Sequence, residues 1–482
     1  MAKGDRGGDG LSARHRVDGD ADARASGFHL LEDGRDALLM RLSLAATAQW
    51  RIDAQYYLLH DDLTGRAFMQ ALFQAADRGV AVRLLVDDMA LFGGDAAAVT
   101  AAAHPNVEVR IFNPFPRGMA RIFQYVTRFG HISRRMHNKT FTVDGRATVL
   151  GGRNIGDIYY DANPDIGYRD LDVLAVGPIV ADVCESFESY WDSDLARSVE
   201  SVAARRLSPA AFQEARGRLK AYLDGHRRAT RTAYFIESPR RAERLLRSSP
   251  LDWGRAEIVA DHPRKISSPR DRDEYHLAPR LRPHLESLNE ELLIVSPYFV
   301  PGRQGVELLA RLVDRGVRVR VLTNSLASTD VAVVHAGYAR YRRELLAAGV
   351  ELHELSPDAV PRRRRRRRGR RLPRTVASLH AKSFVFDRRR LFIGSLNLDP
   401  RSLLENTEIG VVIDAPALAD RVAGYFEDDL RDNAYHLTFT DDLAWQPPQR
   451  LKEQAWHREP HAVWWKRLTV SLVRWLPMES LL

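Results

Sequence analysis

Two octapeptides in this chain hold an imidazole and an ammonium group two residues apart. His137-Asn138-Lys139-Thr140-Phe141-Thr142-Val143-Asp144 and His380-Ala381-Lys382-Ser383-Phe384-Val385-Phe386-Asp387 both read H-x-K-x4-D, and each His is followed 17 residues on by an asparagine, Asn154 or Asn397. A random chain of this composition would contain about 0.02 such octapeptides. One copy alone reads as a solvated His and Lys at a strand end; two copies with one asparagine offset read as chemistry. On a strand, residues i and i+2 share a face, so each copy presents His and Lys together. Two copies face to face would give one phosphoryl group two imidazoles, two ammonium groups and two carboxamides. The lysines and asparagines suit the nonbridging oxygens and the added charge of a pentavalent transition state. One neutral His can attack phosphorus while the other, protonated, gives its proton to the leaving oxygen.

Asp170 and Glu408 hold equivalent places after the two motifs and are candidates to bond the far ring nitrogen of each His. Asp172 is the alternative to Asp170. Asp144 and Asp387, five residues beyond each Lys, should face away from the His-Lys side and pin loops. Gly152 and Ser395 stand at matching places in Leu150-Gly151-Gly152-Arg153-Asn154 and Ile393-Gly394-Ser395-Leu396-Asn397 and are candidate substrate contacts. A lysine beside each His repels a cation, and the single cysteine, Cys184, excludes a cysteine cluster. The scheme therefore calls for no metal and no cofactor.

The elements that carry these residues also repeat. Asp77-Arg78-Gly79-Val80-Ala81-Val82-Arg83-Leu84-Leu85 matches Asp314-Arg315-Gly316-Val317-Arg318-Val319-Arg320-Val321-Leu322. Each follows a helical pattern, Phe68, Met69, Leu72, Phe73 and Leu308, Leu309, Leu312, Val313, and each helix follows a strand-like run, Ile52–Leu59 and Leu292–Val300. Strand, helix, strand used twice predicts an α/β fold of two similar lobes. Each lobe should be a mixed, mostly parallel sheet flanked by helices, with the site at the lobe interface. The expected division is a disordered lead (1–27), first lobe (28–200), helical and charged connection (201–284), second lobe (285–435) and tail (436–482).

Composition narrows the partner. With 482 residues, 45% of them hydrophobic, the chain can bury two or three cores, and a wholly disordered protein is excluded. The formal charge is +9, but ten arginines crowd into 361–374, and without them it falls to −1. The basic excess is thus one segment, a solvated loop or an arm for anionic headgroups, and a generally basic nucleic-acid surface is not expected. Lysine is scarce: two of only seven lie in the paired motifs.

These motifs, with Gln55-Tyr56-Tyr57, Asp61-Asp62, Arg134-Arg135-Met136, Ser296-Pro297-Tyr298-Phe299-Val300-Pro301 and Leu476-Pro477-Met478-Glu479-Ser480-Leu481-Leu482, resemble the phospholipase D superfamily over about residues 28–482. Within it the chain is similar to bacterial cardiolipin synthases, most of all their C type. The resemblance implies a phosphatidyltransferase acting through a covalent phosphatidyl-histidine, with His137 as nucleophile and His380 as acid and base. It implies phospholipid substrates, phosphatidylglycerol first and phosphatidylethanolamine second, and leaves a helper protein open. The same intermediate attacked by water would make a phosphodiesterase of lipid or nucleic acid, the runner-up. A binding protein with a degenerate site is disfavoured because both His-Lys-Asn sets are complete.

Most bacterial cardiolipin synthases carry membrane-spanning helices ahead of the catalytic lobes. No uncharged apolar run here approaches the roughly 20 residues a bilayer span needs, and Met1–Gly27 has no apolar core of a secretory signal. The expectation is a cytoplasmic protein lying peripherally on an anionic membrane. Trp464, Trp465, Leu468, Leu472, Trp475 and Leu476 would share one face of a C-terminal helix, with Lys466, Arg467 and Arg474 elsewhere. Such a helix can lie in a bilayer interface or pack on the second lobe.

Overall fold

The computed structural model describes residues 24–91, 95–117, 134–163, 165–227, 250–360, 376–451 and 453–473. Most of the expected N-terminal lead, the arginine-rich segment and the last nine residues lie outside the described residues.

Each lobe grows from one βαβαβ pattern. In the first, β2 (Arg51–Tyr56), β3 (Ala81–Asp87) and β4 (Val107–Phe112) run parallel; in the second, β11 (Glu291–Val295), β12 (Arg318–Asn324) and β13 (Glu351–Leu355) do the same. The crossover helices, Leu63–Asp77 and Gly302–Asp314, bury Phe68, Leu72 and Phe73 in one lobe and Val306, Leu309 and Leu312 in the other. Each ends at a glycine in the left-handed region, Gly79 at φ +94° and Gly316 at φ +87°. That conformation turns the chain into the next strand at little steric cost only for glycine, which explains the repeated Arg-Gly-Val.

Beyond the parallel core the strands pair antiparallel. In the first lobe β2 continues through β5 (Thr140–Val143), β6 (Ala147–Gly151) and β8 (Asp172–Val176) to β1 (Ser26–Leu31). In the second, β11 continues through β15 (Ser383–Phe386), β16 (Arg390–Gly394) and β17 (Ile409–Asp414) to β10 (Asp252–Ala260). The sheets are mixed, and their parallel share is smaller than the sequence reading of a mostly parallel sheet. Within each lobe's main sheet only the βαβ crossovers give parallel pairs, whereas short connections such as Asp144-Gly145-Arg146 make hairpins.

β10 falls within the stretch read as a connection, yet it is the second lobe's counterpart of β1. It also pairs with β1, Ser26 opposite Gly254 through Phe28 opposite Asp252, so the two sheets are continuous. Ser26 and Gly27, placed in the lead from sequence, are therefore strand residues. A shared core lies behind this seam, joining Phe28, Leu150, Val173 and Ile179 of the first lobe to Leu293, Leu322, Val411 and Phe426 of the second.

Candidate active site

The two His-Lys pairs do not sit inside strands. β5 and β15 begin one residue after Lys139 and Lys382, and the extended segments before them make their backbone bonds to the opposite lobe. His137 N donates to Thr407 O at 2.8 Å, and Thr407 N donates to Arg135 O at 2.9 Å. His380 N and Ala381 N both donate to Arg169 O, at 2.8 and 3.0 Å. Just ahead of His380, β14 (Val376–Leu379) pairs in parallel with β7 (Ile166–Arg169) of the first lobe. Each histidine is thus stitched across the interface by backbone hydrogen bonds, which position it more firmly than side-chain packing alone.

The carboxylates follow the same crossing. His137 Nδ1 lies 2.9 Å from Glu408 Oε2, and His380 Nδ1 lies 2.6 Å from Asp170 Oδ2, so each imidazole takes its acid from the other lobe. Thr407 and Arg169, whose carbonyls accept from the histidine backbones, immediately precede those acids. Asp172 is committed elsewhere, accepting from the buried Arg41 guanidinium at 2.9 Å. With Nδ1 held by a carboxylate, Nε2 of each ring is the nitrogen left for chemistry.

Gly152 and Ser395, expected from sequence as substrate contacts, lie against these acids. A Cβ at Gly152 would fall 2.3 Å from Asp170 Oδ1, so the bare glycine makes room for that carboxylate. Ser395 Oγ donates to Glu408 Oε2 at 2.5 Å, which commits its proton. The shorter Asp lies against Gly and the longer Glu against Ser.

Lys139 Nζ and Lys382 Nζ each donate to the carbonyl of their own histidine, so each ammonium curls beside its imidazole. Lys382 Nζ also stands 3.3 Å from His380 Nε2. Asn154 donates to Tyr159 Oη at 2.8 Å and accepts from Leu58 N at 3.2 Å. Asn397 is buried, and its Oδ1 has no hydrogen-bond partner among the described residues. Asp144 and Asp387 lie away from this cluster. Asp144 accepts from the backbone N–H groups of Gln49, Trp50 and Arg51, and Asp387 from those of Asn289, Glu290 and Glu291.

Burial sets the electrostatics. It pushes His137 down to about 4, against the raising effect of Glu408 and with the lowering effect of Lys139; Lys382 of the other lobe also lowers it. Burial and Lys382 lower His380, with Asp170 opposing and Lys139 adding to the lowering. Both lysines are depressed for the same first reason. Burial alone would raise Asp170 and Glu408, yet the facing histidines hold both carboxyls below their ordinary range. A phosphate entering the pocket would oppose the effect of burial and favour the charged form of the lysines.

Aromatic rings wall the pocket. Tyr57 meets His137 edge to face at 4.9 Å between centroids. Tyr168 stacks on His380 at 4.9 Å and Tyr159 meets that ring at 5.2 Å. The exposed Asp330 accepts from Tyr168 Oη and Tyr298 Oη at 2.9 and 2.8 Å. Tyr159, Tyr168, Asp330, Thr407 and Arg169 were not singled out from sequence. Thr407 and Arg169 carried one usable signal, their place just before the paired acids; the others carried none.

Comparison with known proteins identifies the family. Residues 42–191 and 281–430 match the family described as cardiolipin synthase, PLD-like domain. The chain is 41% identical to cardiolipin synthase C of Escherichia coli over 95% of this chain and 96% of that protein. It is 27% identical to cardiolipin synthase A of Pseudomonas entomophila, over 86% of this chain and 70% of that one. In fold it is similar to phosphatidylserine synthase of Haemophilus influenzae, with a TM-score of 0.56 at 14% identity over 85% of this chain and 87% of that one. A doubled motif, a doubled lobe and a matched sequence over nearly the whole length lead to one conclusion: the chain belongs to the phospholipase D-like cardiolipin synthase family.

Proposed function

We propose that this protein transfers a phosphatidyl group to phosphatidylglycerol through a phosphatidyl-histidine intermediate. Family membership makes it a phospholipid phosphatidyltransferase of the phospholipase D superfamily; the intermediate, the lipids and the roles of the residues are our reading. The observation that carries it is the crossed arrangement, two buried imidazoles each backed by a carboxylate of the opposite lobe, with two lysines beside them.

His137, neutral because burial depresses it, attacks phosphorus through Nε2, forming a P–N bond as the P–O bond to the donor's headgroup breaks. Protonated His380 gives its proton to that departing oxygen. The neutral His380 then takes the proton of the incoming glycerol hydroxyl, whose oxygen attacks phosphorus, and the P–N bond breaks to free His137. Lys139, Lys382, Asn154 and Asn397 bind the nonbridging oxygens throughout. Glu408 and Asp170 hold the rings and stabilise each imidazolium as it forms. Either phosphatidylglycerol or phosphatidylethanolamine serves as donor, and the protein works peripherally at the cytoplasmic membrane.

The test is to incubate purified protein in EDTA with labelled phosphatidylglycerol, with and without phosphatidylethanolamine, and to separate the lipids. Labelled cardiolipin is expected, and acid-labile label on the wild-type protein in a rapid quench. Phosphatidic acid as the sole product would replace transfer by hydrolysis, and a strict metal requirement would overturn the mechanism. His137→Ala and His380→Ala are each expected to lower turnover by at least about 1,000-fold, and only His137→Ala should abolish the labelled adduct.

A further inference from the structure

The C-terminal helix Trp464–Val473 is docked by its polar side. Lys466 Nζ donates to the carbonyls of Leu326 and Thr329, at 3.2 and 2.6 Å. Arg467 donates to Glu459 O at 2.8 Å, and Arg340 donates to Val473 O at 3.2 Å. The opposite side faces outward with its large apolar groups uncovered: Trp464 is 74% exposed, Leu472 64%, Trp465 51% and Leu468 50%. A helix packed only for stability would turn these residues inward and leave lysine and arginine in solvent. Here the orientation is reversed.

Position adds meaning to that face. The loop gripped by Lys466 runs into Asp330, whose carboxylate holds Tyr168, the ring stacked on His380. Val331 is also exposed, as are Ile166 and Val376, paired neighbours at the start of β7 and β14. Exposed apolar side chains therefore occur both on the helix and on the strands that lead to the catalytic cluster. Two residues before Val376 in sequence the run of ten arginines ends. That segment enters only through its charge and its place in the chain.

We propose that Trp464, Trp465, Leu468 and Leu472, together with Ile166, Val331 and Val376, form the face that docks this protein on an anionic lipid bilayer, holding the Asp330 side of the site against the membrane. Tryptophan and leucine on one side of a helix suit the interface between headgroups and acyl chains. The ten arginines that end two residues before Val376 in the chain favour an anionic bilayer over a neutral one or a second copy of the chain. The inference rests on the proposed function only in that the substrates are lipids.

The experiment is flotation of the full chain with vesicles of phosphatidylcholine containing phosphatidylglycerol, and with phosphatidylcholine alone. The wild type is expected to float with the anionic vesicles. The variant Trp464→Ser/Trp465→Ser/Leu468→Ser/Leu472→Ser is expected to do so at least tenfold less, with an unchanged circular dichroism spectrum. Brominated lipids should quench wild-type fluorescence more than that of Trp464→Phe/Trp465→Phe. Equal flotation of wild type and the serine variant would overturn the proposal, as would wild-type protein that does not float. A shift from dimer to monomer in the variant by light scattering, without loss of flotation, would assign the face to a second copy. Wild-type turnover of short-chain phosphatidylglycerol dissolved as monomers separates the two readings: turnover without flotation sinks only the docking face, and flotation without turnover sinks only the proposed function.

Discussion

At the scale of single residues, the paired histidines are matched in geometry and in the downward direction in which burial shifts both of them. Glu408 raises His137 against its burial, so Glu408→Gln should make that imidazole still less basic and a weaker nucleophile. The expected loss in kcat is about 100- to 10,000-fold, as when an orienting carboxylate is removed from a catalytic histidine, with KM little changed; Asp170→Asn should act similarly through His380. The pH profile carries the sign. His137 in the free protein stays neutral down to about 4, so kcat/KM should show no acid limb from this group between pH 5 and 7. In Glu408→Gln any such limb should move to lower pH. A limb near the ordinary histidine value of about 6.5 would contradict the assignment. The identities of His, Lys and Asn were legible because rare residue types recurred at one spacing. Which acid served which histidine was not, because a repeat offers equivalent acids within each lobe and says nothing about crossing.

At the scale of elements, the motif aspartates set the register of the sheet around the site. Asp144 at φ +55° and Asp387 at φ +50° each turn a hairpin and gather three backbone N–H groups at the start of the adjacent strand, β2 or β11. Asp144→Ala removes those acceptors at a half-buried turn and should cost about 1–2 kcal/mol, read as a lower midpoint in urea denaturation. An unchanged midpoint would leave the hairpin held by its ladder alone. The strand-helix-strand pattern was legible from apolar periodicity and the repeated Arg-Gly-Val. Strand ends were not: the runs read as Ile52–Leu59 and Leu292–Val300 stop at Tyr56 and Val295. Past those points the chains leave the ladder for isolated bridges, Leu59 to Ile155 and Phe299 to Leu398, and that exchange depends on partners distant in sequence.

At the scale of the whole molecule, neither lobe contains a complete site. A fragment of residues 24–227 would carry His137 without Glu408 and expose its part of the shared core; a fragment of residues 250–473 would carry His380 without Asp170. Expressed separately, each is expected to bind a hydrophobic dye strongly and to show no transferase turnover, and measurable turnover by either alone would contradict the shared site. Among the described residues no helix is long and apolar enough to cross a membrane; the lipid contact proposed for this fold is the outward face of Trp464–Val473. The sequence by itself determined that the strand-helix-strand unit and the H-x-K-x4-D motif each occur twice, and it suggested phosphate chemistry for them, because spacing and rarity are local properties of the chain. Only the tertiary structure decided that the acids cross over, that Gly152 and Ser395 serve those acids, and that the C-terminal helix turns its tryptophans outward. Those outcomes depend on which backbone groups meet across the interface, and hydrogen bonds between residues some 210 to 270 positions apart leave no periodic trace in the chain.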